Sequence, residues 1–183
     1  MARPSNHIAP HGFGGTLRHY IRDIVYGAND GVITTFAAVA GVEGGALPPI
    51  AVIIVGVANL VADGLSMGVG NYLSIRANEG AREADNLPEE ESQPVRHGAA
   101  TFGAFVIAGA IPLLPYTLRW PTAIQSTSSA IATLCTLFGI GAARGLITRK
   151  DWRATGAEML ALGILVGLAA YGSGALAAHA LRN

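Results

Sequence analysis

Residues 50–73 read IAVIIVGVANLVADGLSMGVGNYL. This run can cross the hydrocarbon core of a bilayer, which takes about 20 apolar residues. It carries one charged residue, Asp63. A carboxylate near the bilayer centre costs about 2.5 kcal/mol or more to insert, so a chain that keeps one there has a use for it. Residues 24–42 repeat the pattern with Asp30. Two acidic residues on consecutive spans point to a route for a cation or a proton.

Three further segments of similar length follow. The chain therefore reads as an all-α membrane protein with five transmembrane helices, at about 24–42, 50–73, 98–117, 124–147 and 155–180. Residues 1–23 form a cytoplasmic tail, and 74–97 a short acidic cytoplasmic loop. Pro112 and Pro115 should break or kink the end of the third span, since proline removes a helix donor and clashes with the preceding turn. Pro48 and Pro49 mark the start of the second, where a missing N–H does no harm. Composition agrees with this reading: 13% of the 183 residues are charged and 51% are hydrophobic, against about 25% charged in soluble domains. The single Cys135 excludes an intrachain disulfide framework. Zero formal net charge gives no basic footprint for nucleic acid.

Orientation follows from the placement of Lys and Arg. In a five-span reading Arg3, Arg18, Arg22, Arg76, Arg82, Arg96, Arg144, Arg149, Lys150 and Arg153 share one side, and only Arg119 and Arg182 face the other. The N-terminus is therefore expected inside and the C-terminus outside. Glycines spaced by four (Gly27/Gly31, Gly64/Gly68, Gly141/Gly145, Gly163/Gly167) let helices approach closely and argue for a compact bundle, and for an oligomer.

Spans one and two, joined by a short loop, are expected to pack as an antiparallel pair. Counting from the basic residues at the inner boundary puts Asp30 and Met67 at similar depth and Asp63 one turn further out. Asn59, Asp63, Met67 and Asn71 follow one another at i+4, on one broad side of the second helix. Thr34 stands one turn beyond Asp30. Carboxylates and amide oxygens suit hard divalent ions, and the thioether moves the preference toward transition metals, Fe²⁺ first and Mn²⁺ or Zn²⁺ behind it. Two carboxylates in low dielectric hold a proton when no metal is present, and metal entry then expels it. Metal/proton exchange is thus the natural mechanism. No tightly bound cofactor is expected; the metal is cargo.

The stretches DGVITTF from Asp30 and ANLVADGLSMGVGNYLS from Ala58, with Thr101-Phe102, residues 111–116, 141–148, Trp152, Gly156, Glu158 and Tyr171-Gly172, resemble the vacuolar iron transporter family, including its nodulin-like members. The likeness covers about residues 20–180. It implies a five-helix homodimer with a metal path along the first two helices, exporting Fe²⁺, sometimes Mn²⁺, from the cytoplasm by proton exchange. It implies that Asp30 is the metal or proton carboxylate of the first helix, with Asp63 and Met67 as partners on the second. Two departures stand out. The long metal-binding cytosolic domain of better-studied members is reduced here to 74–97, which keeps Glu79 and Glu83 as secondary metal-collecting candidates. Many members carry a carboxylate where this chain has Asn71.

Arg144 and Glu158 are expected to pair structurally across the fourth and fifth spans. His7, His11 and His19 form a loose N-terminal set, and His97 and His179 read as polar residues at span ends. An intramembrane aspartyl protease is disfavoured, since Gly27-Ala-Asn-Asp and Leu60-Val-Ala-Asp lack the Gly-x-Gly-Asp motif of those enzymes; no enzymatic activity is expected. The alternatives are a non-transporting metal sensor or partner subunit and an unselective cation leak. Expected partners are the bilayer, a second copy of the chain, divalent metal ions and protons. Residues 1–23 lack a secretory signal pattern, and the expected location is a bacterial inner membrane, or a vacuolar-type membrane in a eukaryote.

Overall fold

The computed structural model describes residues 5, 11–118 and 120–182, so Arg3, His7 and Arg119 lie outside the described residues. The architecture is α1 (Gly12–Gly44), α2 (Pro49–Ala84), α3 (Pro94–Gly109), a single 3₁₀ turn (Ile111–Leu113), the short α4 (Leu114–Thr117), α5 (Thr122–Ile147) and α6 (Trp152–Arg182). Helices α1 and α2 overrun the expected spans: α1 starts at Gly12, not near 24, and α2 continues to Ala84. The Arg18–Asp23 stretch, expected in the tail, is therefore helical. The break after Gly109 falls where Pro112 and Pro115 forbid a straight helix. The Pro112 carbonyl, buried at the break, accepts from Ser129 Oγ at 2.7 Å.

Three helix ends close on a left-handed residue other than glycine. Ala46, Asn86 and Arg149 have φ of 54°, 56° and 55°. The next N–H returns to a carbonyl five residues back in each case: Leu47 to Val42 (3.1 Å), Leu87 to Arg82 (2.8 Å) and Lys150 to Gly145 (2.9 Å). These bonds satisfy carbonyls that a helix end otherwise leaves open.

Among the described residues, four stretches are long and apolar enough to span a membrane: α2, Pro94–Thr117, α5 and α6. The protein is an integral membrane protein. Helix α1, with 33 residues, falls short of that apolarity because Asn29, Asp30, Thr34 and Thr35 interrupt it. Yet α1 is the centre of the bundle, touching α2, α3, α5 and α6. Neighbouring helices surround it in place of lipid, which is where a polar intramembrane stretch is tolerated. The apolar side chains of α2 (Ile54, Val61, Leu65, Val69) and α6 (Leu165, Leu168, Leu176) are exposed on the outside of the bundle.

Two core clusters hold the helices together. Val39, Val42, Val52, Leu60, Phe105, Leu113 and Tyr116 join α1–α4; Val32, Ala108, Leu137 and Met159 join α1, α3, α5 and α6. The expected α1–α2 hairpin is looser than the sequence suggests. Both helices touch, but each packs more extensively on α3. The glycines explain this. A Cβ on Gly27 or Gly31 would collide with the α3 backbone at Thr101 and Phe105, and one on Gly68 with Gly98. Gly141 and Gly145 are pressed against Thr155 and Trp152, while Gly163 and Gly167 make room for Leu137 and Phe36. All four glycine pairs are thus engaged inside the chain.

Candidate functional site

Asp30 and Asp63, on α1 and α2, are both partly buried and close enough to interact electrostatically. Thr34 donates its hydroxyl to the Asp30 carbonyl at 2.8 Å, so its lone pairs are what it can offer a cation. Met67 packs on the α1–α4 core cluster. It also lines, with Tyr26, Ser66 and Asn71, an open cavity of about 350 Å³. The side chain therefore fills core and borders polar space at once. Asn29 Oδ1 and Asn59 Nδ2, neighbours of this level on the same two helices, are buried without hydrogen-bond partners. Buried polar atoms are normally satisfied, and these two amides are left open within the bundle.

Asn71 lines the same cavity as Met67 and is also tied into a network toward the start of α1. Its Nδ2 donates to Asp23 Oδ1 at 2.9 Å and to Thr101 Oγ1 at 2.8 Å. Thr101 in turn donates to the His97 carbonyl at 3.0 Å. Asp23 is 3% exposed and its other oxygen lies 2.5 Å from His97 Nδ1. A buried polar network of Asp23, Asn71, His97 and Thr101 thus ties α1, α2 and α3 together, nearer the start of α1 than Asp30. Asp23 was missed because it stood at the edge of a polar tail. The available signal was its spacing, seven residues before Asp30 and on the same helix face. The reading of His97 as an interfacial polar residue without special surroundings is corrected: its imidazole is buried and hydrogen-bonded.

The other expected residues lie outside this level. Glu79 accepts from the Glu90 and Glu91 backbone N–H groups at 3.0 and 2.9 Å, tying the α2–α3 loop to the helix. Glu83 is exposed and lines, with Glu79 and Arg76, a separate open cavity at the α2–α3 loop. Arg144 Nη2 meets Glu158 Oε2 at 2.5 Å across α5 and α6. At the far end of α1, Glu43 accepts hydrogen bonds from Tyr116 and Ser126. It belongs to the helix and not, as the sequence suggested, to the connecting loop.

These features define a helical integral membrane protein whose central helix carries partly and fully buried carboxylates. The sequence model of the VIT family matches in two stretches, residues 21–91 and 81–175, and the chain belongs to that family. It is similar to the vacuolar iron transporter of Toxoplasma gondii, 26% identical over 88% of this chain and 75% of the relative. It is likewise similar to vacuolar iron transporter 1 of Arabidopsis thaliana, 27% identical over 85% of each. A third relative is vacuolar iron transporter homolog 1 of Oryza sativa, 30% identical over 84% of this chain and 72% of the relative.

Proposed function

We propose that the protein is a divalent metal transporter that moves Fe²⁺ out of the cytoplasm in exchange for protons, with Mn²⁺ as a second cargo. The observation that carries this reading is the Asp30–Asp63 pair, two partly buried carboxylates in electrostatic contact on adjacent helices of a VIT-family bundle. The relatives' names, vacuolar iron transporter, support iron as the cargo. Metal binding requires deprotonated ligands, so a cation entering between Asp30 and Asp63 displaces any proton held there. Protonation from the other side then releases the metal. Met67 and the Thr34 lone pairs complete the coordination, and Asn71 orders the approach through Asp23.

In this reading α1 crosses the membrane with the other four helices, since a 33-residue helix of about 50 Å at the centre of a bundle has no other place to lie. Five crossings then put the N-terminus inside and the C-terminus outside. The working unit is a homodimer in a bacterial inner membrane. A line of small exposed residues on α2 (Ala58, Ala62, Ser66, Gly70, Ser74) runs beside Asp63 and Met67 and supports contact with a second copy there.

The test is Fe²⁺ uptake into sealed proteoliposomes under an imposed pH gradient. Flux that follows the gradient in size and direction is expected. Metal binding without flux above empty liposomes would replace the transporter by a membrane metal sensor.

A further inference from the structure

A second group of ligands lies outside the Asp30–Asp63 level. We propose that His19 of α1, Glu91 of the α2–α3 loop and His97 of α3 form a binding site for a divalent transition-metal ion. Glu91 Oε2 is 2.9 Å from His97 Nε2 and 3.2 Å from His19 Nε2, and one ligand atom from each residue falls within 4.8 Å of the others. Ligand atoms held tetrahedrally at metal–nitrogen and metal–oxygen lengths of about 2.0–2.2 Å stand about 3.4 Å apart. A small outward adjustment of these side chains would therefore admit an ion.

The surroundings of His97 suit a metal ligand. His97 Nδ1 is 2.5 Å from Asp23 Oδ2, and this carboxylate fixes the Nδ1–H form. In that tautomer Nε2 faces the oxygen of Glu91. That nitrogen is buried and makes no contact with hydrogen-bond geometry. A cation between this nitrogen and the Glu91 oxygen, 2.9 Å apart, would be coordinated by both. A carboxylate that orients a ligating imidazole from behind is the usual support of a metal-bound histidine. The rings of His19, Tyr20 and His97 pack against one another with centroids 4.7–5.0 Å apart, which limits their rotation. Two imidazoles and one carboxylate suit Fe²⁺ and Zn²⁺. The group borders a cavity of about 410 Å³ that leaves room for water to complete the coordination.

The site shares no ligand with the proposed transport pair, so the two can be tested apart. The full-length protein in detergent, stripped by a chelator, is titrated with Co²⁺ and followed by visible absorption. Wild type should develop the intense bands of a low-coordinate, imidazole-bound ion, and Asp30→Asn/Asp63→Asn should retain them. His19→Gln and Glu91→Gln should each lose the bands or bind at least about tenfold more weakly, and Asp23→Asn about 10–100-fold more weakly. His19 is partly exposed, so its replacement leaves the core intact. Absent imidazole-type bands in wild type, or bands that survive both His19→Gln and Glu91→Gln, would overturn the site and leave a proton as the cation held there. Bands lost only in the Asp30/Asp63 variant would overturn it too, while leaving the transport reading in place. Failed transport with these bands intact would do the reverse.

Discussion

Asn71 donates to both Asp23 and Thr101, and its amide is the link that brings α2 into the buried network of α1 and α3. Asn71→Leu removes that donor and leaves a 3%-exposed carboxylate short of a partner. An unsatisfied buried acceptor costs about 1–3 kcal/mol, more for a charged one, so thermal unfolding in detergent should show a clear fall in Tm. Asn71→Asp should be worse at neutral pH, since it sets a second carboxylate against Asp23 and like charges repel. An unchanged Tm in both variants would mean that the network does not hold the helices. Asp30 and Asp63 were legible in the sequence because a carboxylate inside an apolar run is anomalous wherever it occurs. Asp23 and His97 were not. They stand at the ends of spans, where charged residues are common, and only the packing of α3 on α1 turns them inward. Asn71 was legible as a polar intramembrane residue, but its partners were not, because helix spacing gives a face and not the neighbour that meets it.

Glycine spacing likewise announced close helix contacts without naming the partners. The regular i+4 pairs suggested a compact bundle and an oligomer; within the chain they seat α1 and α2 on α3, and α5 on α6. A Cβ on Gly31 would press on the Phe105 backbone, which cannot swing aside as a side chain can. Gly31→Ala should therefore destabilise by about 1–3 kcal/mol, the usual cost of overpacking. Gly103→Ala, on α3 where an added methyl meets nothing within 4 Å, should be neutral or stabilising by up to about 1 kcal/mol, because alanine is the better helix former. The two melting curves should separate in opposite directions, and equal Tm values would contradict this assignment of the crossing. At the helix ends, Ala46 pays for a left-handed φ of 54°, a conformation that costs an L-residue about 1–2 kcal/mol. Ala46→Gly should raise Tm slightly; a lower Tm would mean that the turn is held by something other than its backbone bonds.

The whole bundle is arranged so that its least apolar long helix touches least lipid. That inversion explains why hydropathy alone identifies four spanning stretches where the packing supplies a fifth helix at their centre. It also explains how Asp23, Asp30 and Glu43 can lie on one helix, at different levels. With the glycine pairs engaged inside the chain, the proposed dimer would rest on another surface, and the small exposed stripe of α2 is the one beside the carboxylates. Ser66→Trp, placed mid-stripe on an exposed position, should convert a detergent-solubilised dimer to monomer in light scattering; an unaltered mass would move the interface elsewhere. The role of the carboxylate pair is tested by recording Fe²⁺ entry and proton movement together in sealed proteoliposomes bearing wild type, Asp30→Asn or Asp63→Asn. Opposed metal and proton fluxes are expected in wild type and, in both folded variants, fluxes no greater than those of empty liposomes. Wild-type fluxes in either variant would contradict that role.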